Sequence, residues 1–483
     1  MTSILAEGET CWRIAEADRF SVIIDAADFF RHARDCMLKA RHSIILIGWD
    51  FDTRIRLTPQ ETNEPDRLGR FLEHLARRTP QLGIHILKWD LGLIASLTRG
   101  ETPLHMLRWI TSRQIHLKFD RAHPPLAAHH MKLLVIDDAV AFCGGIDMTV
   151  GRWDTREHRD NHPLRRSPFG FAEPPWHDAT TCMSGPAARA LGDLARDRWR
   201  VATEEALRAP YEVTDLWPDG LSPDFAGVRV GIARTAPRYR ERREVVEIET
   251  ATLAIIAAAR RSLYVESQYF ASRRVAEAMA KRLAEPDGPE IVIVNPKTAS
   301  GWLEEKTMDT ARSRMIDIVR KADRFGRFGI FYPVNAADTP IYVHAKIMIA
   351  DDRLLKLGSA NLNNRSMGYD TESDVILEAE DDTVRERIRF RRDDLLAEHL
   401  GSTPQQVSAA IAGNGGSLLK AIATLTQPGG TGLRPVERRP LGIDDAMIAE
   451  SDWVDPERPA GLRYKTSAFL RNRFGRRLFP SGR

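Results

Sequence analysis

The chain has 483 residues, of which 43% are hydrophobic and 28% are charged, the composition of an ordinary globular protein rather than of a disordered or fibrous one. Its 70 Lys and Arg against 67 Asp and Glu leave a formal net charge of +3, which excludes the strongly basic body of a dedicated duplex-DNA binder. The 4 cysteines are far apart and form no C-x-x-C pair, which argues against a zinc ribbon and against a disulfide-stapled secreted domain.

Neither a secretory leader nor a membrane span is predicted. The first twenty residues lack both a basic leader and a long apolar core, so the sequence shows no Sec-type signal. No apolar run approaches the roughly eighteen residues that a membrane-spanning helix needs. We therefore expect a cytoplasmic or peripheral membrane protein, and export by another route stays open.

Helix-period segments alternate with short runs rich in Val, Ile and Leu. The predicted elements are, in chain order, helix 25–41, strand 84–88, helix 187–205, helix 246–261, strand 291–294, helix 303–322 and strand 346–349. This alternation predicts the α/β class, with helices covering a sheet.

The chain repeats itself at nearly one distance. Residues 40–46 are similar to residues 259–265, an offset of 219 (259 − 40). An H-x-K-x-x-x-x-D motif at 130–137 returns at 344–351, an offset of 214 (344 − 130). Two unrelated matches at nearly one offset predict two tandem copies of one α/β sheet unit.

We place the first copy at 18–205 and the second at 226–400, joined by a linker with Pro and Gly at 208–227. Residues 401–483 form a C-terminal extension whose Gly-rich stretches predict loops rather than core. The extension ends in a tail, 461–483, which carries seven Lys or Arg, no acids and several aromatic residues. Without these seven charges the rest of the chain is at −4 (+3 − 7), so the tail is either a contact for an anionic membrane surface or a solvated end.

The two motifs supply the candidate catalytic residues, which are His130, Lys132, Asp137, His344, Lys346 and Asp351. Side chains two apart in a strand lie on one face, so we expect each His to project together with its Lys. Each motif Asp lies an odd number of positions away, beside a second Asp, which indicates a scaffold role at a turn. A lone histidine in a strand is usually structural, but two matches in register with a duplication favour a functional site.

Two imidazoles and two ammonium groups without a nearby cluster of metal ligands indicate phosphoryl transfer that needs no metal or other cofactor. The lysines would stabilise charge on the phosphate, while one His attacks phosphorus and the other transfers protons. Asp178 and Glu372 are candidates for the acids that orient the two histidines, with ordinary surface acids as the alternative. Asp147, Ser359 and Asn361 follow the motifs closely enough to contact the phosphate or to hold the histidines. 

A basic loop at 151–175 in the first copy, about twenty residues longer than the matching stretch of the second, contains five Arg and two His. It either attracts an anionic substrate or is simply solvated.

At these residues the sequence resembles the phospholipase D superfamily, over about residues 18–400. The resemblance rests on both motifs, on the segments 144–147 and 358–361 that follow them, and on the segments 48–52, 151–155 and 266–270. It implies that the two halves pack into one bilobal phospholipase D-like fold with both His–Lys pairs at a single site. It also implies a phosphohistidine, favoured on His130, which water or an alcohol resolves.

We therefore expect an enzyme that cleaves glycerophospholipids, releasing phosphatidic acid or passing the phosphatidyl group to an alcohol. Cardiolipin synthesis as the main activity and a nuclease are the enzymatic alternatives, and a catalytically silent lipid-binding scaffold is the alternative from another class. The expected partners are a phospholipid substrate and an anionic membrane surface, without nucleic acid, and the expected state is a monomer.

Overall fold

The computed structural model describes residues 3–61, 65–89, 105, 108–109, 111–212, 214–299, 302–427 and 429–437. Its helices are α1 (Ala26–Lys39), α2 (Leu68–Arg78), α3 (Pro186–Thr203), α4 (Glu247–Ala258), α5 (Arg273–Ala284), α6 (Trp302–Ala322), α7 (Asp382–Leu400), α8 (Pro404–Gly413) and α9 (Leu418–Leu425), with a short π-helix at Arg365–Tyr369. The basic tail 461–483 lies outside the described residues.

The strands of the described residues are β1 (Arg13–Ile24), β2 (Ser43–Gly48), β3 (Gly83–Trp89), β4 (Ile115–Asp120), β5 (Leu133–Ile136), β6 (Val140–Gly144), β7 (Trp176–His177), β8 (Ala179–Ser184), β9 (Phe225–Ala236), β10 (Val245–Val246), β11 (Ser262–Glu266), β12 (Glu290–Val294), β13 (Phe328–Val334), β14 (Tyr342–Val343), β15 (Ile347–Ala350), β16 (Leu354–Gly358), β17 (Glu372–Glu378) and β18 (Gly432–Pro435). The predicted α/β class is confirmed. Each predicted helix and strand corresponds to an observed one, with ends that differ by a few residues.

A single mixed sheet runs through the described part of the chain. Its strands follow the order β18-β13-β12-β11-β15-β16-β17-β9-β1-β8-β6-β5-β2-β3-β4, and β10 pairs with β9. The order from β1 outwards to β4 repeats, strand for strand, the order from β9 outwards to β13. The duplicated sequence therefore forms a duplicated sheet, whose two parts join where β1 and β9 pair antiparallel.

Alternating residues of the inner strands pack on opposite faces of this sheet. In β2, Ile45 and Ile47 belong to a core that extends along one face of both parts, whereas Ile44 and Leu46 pack against α1 and α2 on the other face. The second part has its own cluster on that other face, built from α4, α5 and α6. Helices thus cover both faces, because each buried strand presents apolar side chains on each.

Two segments pack more closely than the sequence indicated. In the extension, α8, α9 and β18 place Val407, Ile422 and Leu433 in the core, and β18 pairs with β13 at the edge of the sheet. In the linker, Trp217 is buried against the first part of the sheet. The prediction of loops in the extension was right for the Gly-rich turns but missed the helices between them. Among the described residues, no helix is both long and apolar enough to cross a membrane.

Candidate active site

Both motif histidines line one open pocket between the two parts of the sheet, and the charges of Lys132 and Lys346 act on both rings. The expectation that the pairs lie within strands was wrong: His130 and Lys132 precede β5, and His344 and Lys346 precede β15. These extended segments pair instead with the other part of the chain. The His130 N–H donates to the Thr371 carbonyl at 2.9 Å, and the His344 N–H donates to the carbonyl of residue 177 at 2.7 Å.

Each motif histidine is oriented by an acid from the opposite copy. The Nδ1 of His130 lies 2.9 Å from Oε2 of Glu372, and the Nδ1 of His344 lies 2.7 Å from Oδ2 of Asp178. The two acids proposed from the sequence are therefore next to the histidines, but each pairs with the histidine of the other copy. With Nδ1 engaged, Nε2 is the nitrogen of each ring that can react with a substrate in the pocket.

Glu372 is held by two hydroxyl groups. The hydroxyls of Ser359 and Ser366 donate to its carboxylate at 2.5 and 2.7 Å, and its side chain is fully buried. Burial raises the pKa of Glu372 to about 7, against the lowering effect of Lys132 and the serine hydroxyls. Ser359, proposed to touch phosphate or hold a histidine, thus acts on His130 through Glu372.

The two lysines have different surroundings. The Lys132 ammonium lies 3.2 Å from Oδ2 of Asp147, whereas Asn361 stands at the corresponding position of the second copy. The Lys346 ammonium donates to the His344 carbonyl, and no carboxylate lies within 4.0 Å of it in the part of the chain that the structure describes. Burial lowers the pKa of Lys346 to about 7. An anionic group in the pocket would favour its charged form.

The pKa values of His130 and His344 both lie well below the usual range. Burial is the main cause in each ring, and the neighbouring lysines add to it. At neutral pH the free imidazoles are therefore uncharged, the state in which a ring nitrogen is a nucleophile.

The motif aspartates bind backbone rather than the pocket. The Asp137 carboxylate accepts the N–H groups of residues 41, 42 and 43 at 2.7, 2.8 and 2.6 Å, and Asp351 accepts those of residues 260, 261 and 262. Each Asp has a positive φ, 50° for Asp137 and 54° for Asp351, at the turn that follows its strand. Their contacts are those of a scaffold that ties β5 to β2 and β15 to β11.

Several pocket residues could not be picked out from the spacing of the motifs. The other side chains that line the pocket include Trp49, Trp89, Arg152, Trp176, Gln268 and Tyr269. Arg152 lies over the ring of Trp176, with its guanidinium carbon 4.1 Å from the ring centre. Most of these residues belong to the accessory segments that carried the resemblance, which is the signal that could have found them.

The cations of the basic loop have different surroundings: Arg159 and Arg166 are exposed, whereas others are paired inside the protein or line the pocket. Arg156 pairs with Glu398 at 2.8 Å, and Arg165 is buried in a pair with Asp154 at 2.7 Å. Arg156 and Arg165 thus form ion pairs within the protein, whereas Arg152 lines the pocket. Among the described residues, the His and acid groups spaced like metal ligands do not include the motif histidines.

Two family models match the chain. The model described as "Phospholipase D" matches residues 36–215, and the model described as "Cardiolipin synthase, PLD-like domain" matches residues 252–393. Each model covers one of the two motifs.

Curated relatives match most of the chain at low identity. Phospholipase D A of Dictyostelium discoideum is 24% identical over 474 residues, covering 81% of this chain and 36% of its own length. Phospholipase D1 of Saccharomyces cerevisiae is 24% identical over 494 residues, covering 78% of this chain and 28% of its own length. The chain thus spans about a third of the length of the curated relatives that it matches, with shares of 36%, 34% and 28% in the first three.

A solved structure shares the fold. The phosphatidylserine synthase of Haemophilus influenzae Rd KW20 superposes with a TM-score of 0.55 at 12% identity, covering 85% of this chain and 97% of the synthase. At this identity the similarity speaks for the architecture alone.

Proposed function

Because the chain belongs to the phospholipase D superfamily, we propose that it is a phospholipase D-type phosphodiesterase that cleaves glycerophospholipids and transfers the phosphatidyl group to water or an alcohol. The observation that carries the proposal is the pocket that both motif histidines line, each His held by an acid of the other copy and near both motif lysines. Relatives named phospholipase D support the choice of a phospholipid as substrate.

In the first step, Nε2 of His130 attacks phosphorus while the bond from phosphorus to the headgroup oxygen breaks. His344 takes up a proton when the anionic phosphodiester binds and donates it to that leaving oxygen, and Glu372 stabilises the positive charge that forms on His130. Lys132 and Lys346 stabilise the charge on the non-bridging oxygens, the task that metal ions perform in other phosphoryl-transfer enzymes. The product of this step is a phosphatidyl-histidine and a free headgroup alcohol.

In the second step, His344 removes a proton from water or from an acceptor alcohol, whose oxygen attacks phosphorus. The bond from phosphorus to His130 breaks, and the product is phosphatidic acid or a new phosphatidyl ester. Transfer to an alcohol is supported by the match to the cardiolipin synthase-type model.

The test is an assay of the purified chain on labelled phosphatidylcholine, phosphatidylglycerol and single-stranded DNA, with and without EDTA. We expect phospholipid turnover that added EDTA leaves intact, and its loss in both His130→Ala and His344→Ala. His74→Ala is the control, since His74 lies on α2 and does not line the pocket.

Turnover of DNA without turnover of phospholipid would replace the proposal with a nuclease. Near-normal turnover in either pocket variant would refute the single shared site. Inactivity on all substrates, with vesicle binding retained, would favour a lipid-binding scaffold.

Contact with a membrane surface is the second part of the proposal. Phe169 and Phe171 are 70% and 73% exposed, in the loop between the pocket residues Arg152 and Trp176. Leu126, 51% exposed, lines the pocket itself. Exposed aromatic side chains beside a lipid site can enter the bilayer interface, which would bring the pocket to its substrate.

A further inference from the structure

A second group of polar side chains lies next to Asp178 and takes no part in the proposed steps. It comprises Asp25, after the end of β1, His158, in the loop after β6, His177 on β7 and Glu398 on α7. Each of these side chains is at most 2% exposed. The group adjoins the pocket, because the Asp178 N–H donates to Oδ1 of Asp25 at 3.1 Å.

The four side chains bring their possible ligand atoms close together. Oε1 of Glu398 lies 2.7 Å from Nδ1 of His177 and 3.1 Å from Nε2 of His158. Asp25 is close to the same two nitrogens, with Oδ1 3.3 Å from Nδ1 of His177 and Oδ2 3.6 Å from Nε2 of His158. One ligand atom from each residue falls within 4.8 Å of all the others.

The outer nitrogen of each ring is held by a further carboxylate. Nδ1 of His158 lies 2.9 Å from Oδ2 of Asp154, and Nε2 of His177 lies 2.7 Å from Oε2 of Glu266. A carboxylate on the outer nitrogen fixes the tautomer that leaves the inner nitrogen free to bind a metal, and metal-ligating histidines in proteins commonly have such a partner.

The charges of the group leave a deficit of two. The carboxylates are those of Asp25, Asp154, Glu266 and Glu398, and the arginines paired with them are Arg156 and Arg165. The remaining neighbours of Glu266 are the Tyr264 hydroxyl and the ring of His399. Arg156 is shared with Asp394, so with uncharged imidazoles the four negative charges face at most two positive ones in a buried site, and the group needs at least two further positive charges.

Two imidazolium protons or one divalent cation would supply that charge, and Asp25 distinguishes them. In the described part of the chain its Oδ2 has no hydrogen-bond donor, since Nε2 of His158 is 3.6 Å away, although Asp25 is 1% exposed. Protons on the two histidines already form hydrogen bonds to Glu398, Asp154 and Glu266, so none is left to bond to Oδ2 of Asp25. Asp25 also has a φ of 65°, a strained conformation for a residue with a side chain. A cation at the centre would satisfy the oxygen and explain the strained backbone.

We propose that Asp25, His158, His177 and Glu398 bind one divalent transition-metal ion of the zinc class. Two imidazole nitrogens and two carboxylate oxygens suit zinc, whereas calcium and magnesium prefer oxygen ligands alone. Four protein ligands and full burial make this a closed, structural site. It would anchor β7, which pairs with β14 and precedes Asp178, the acid of His344.

The test is the metal content of the full chain, purified from zinc-supplemented cells and dialysed against EDTA without denaturant. We expect about one zinc ion per chain, retained on dialysis and released to a colorimetric chelator when guanidinium unfolds the protein. Refolding with zinc should give a higher Tm than refolding with EDTA. In His158→Gln, whose amide can replace the hydrogen bonds but binds zinc poorly, the metal should be lost.

His162→Gln is the matched control, a substitution in the same loop outside the group, and it should retain the metal. A zinc content below about a tenth of an equivalent in wild type, together with equal Tm values after both refolding procedures, would overturn the proposal. Two imidazolium ions would then be the source of positive charge. Phospholipid turnover by such metal-free protein would leave the proposed function intact. Zinc in a protein inactive on all substrates would refute the function alone.

Discussion

Each motif histidine receives its acid from a residue far away in the chain. His130 and Glu372 are 242 positions apart, and His344 and Asp178 are 166 apart. Since a histidine without its carboxylate loses both ring orientation and stabilisation of its charged form, neither copy of the motif is complete without the other copy. The pocket is therefore a joint product of both copies.

Glu372→Gln should lower kcat by about two to four orders of magnitude, because the amide cannot stabilise the charge that forms on His130. The fold should persist, since the Ser359 and Ser366 hydroxyls can still bond to the amide. Steady-state kinetics checks this prediction. Glu378→Gln, in the same strand but paired with Arg353, is the control and should keep its kcat. A Glu372→Gln enzyme with full kcat would contradict the assigned role.

The raised pKa of Glu372 makes stability depend on pH. The unfolded chain releases this proton near pH 4.5 and the folded chain near pH 7, so the folded state holds the extra proton between them. Stability therefore falls as pH rises through this window, by at most roughly 3 kcal/mol at about 1.4 kcal/mol per pH unit. Glu372→Gln lacks this ionisation. Denaturant unfolding from pH 4.5 to 7 should show wild type losing stability relative to the variant, and a constant difference would contradict the prediction.

At the scale of elements, both copies use a glycine where the sheet is most crowded. Gly144 at the end of β6 lies opposite Thr180 of β8, and Gly358 at the end of β16 lies opposite Asp374 of β17. A Cβ at Gly144 would come within 2.3 Å of the Thr180 Cα, and one at Gly358 within 2.4 Å of the Asp374 Cα.

Gly144→Ala should therefore destabilise the protein by about 1–3 kcal/mol, because a strand backbone has little freedom to move away from the new methyl group. Thermal unfolding by circular dichroism measures the effect. Gly413→Ala is the matched control: nothing lies within 4 Å of a Cβ there, and Gly413 ends α8, so its Tm should be unchanged or higher. An unchanged Tm for Gly144→Ala would show that β6 and β8 can separate at this point.

The molecule as a whole has two candidate contacts with a membrane. The first is the exposed pair Phe169 and Phe171. The second is the tail 461–483, which lies outside the described residues. The two differ in physical origin: apolar insertion is insensitive to salt, whereas attraction of a basic segment to anionic lipid is screened beyond about 8 Å at physiological ionic strength.

Deleting residues 461–483 should weaken binding to anionic vesicles at low salt and have little effect at high salt. The double substitution Phe169→Ser and Phe171→Ser should weaken binding at both. Vesicle co-sedimentation measures the binding, and turnover of a soluble short-chain substrate should stay near normal in both variants. Tyr211→Ser, at an 88% exposed site in the linker, is the control. If the truncated chain is insoluble, or inactive on both vesicles and the short-chain substrate, the tail completes the core.

The α/β class, the duplication, the two His–Lys pairs and the candidate acids could be predicted from residue spacing and a constant offset, which are properties of the chain before it folds. The pairing of each acid with its histidine could not be predicted in this way, because it depends on contacts between the two copies. The parallel pairing of β7 with β14 and the bridge between residues 129 and 371 exchange the acids between the copies. Tertiary contacts likewise pair two cations of the basic loop, Arg156 and Arg165, with Glu398 and Asp154. Such contacts join residues up to 242 positions apart, and local pattern contains no record of them.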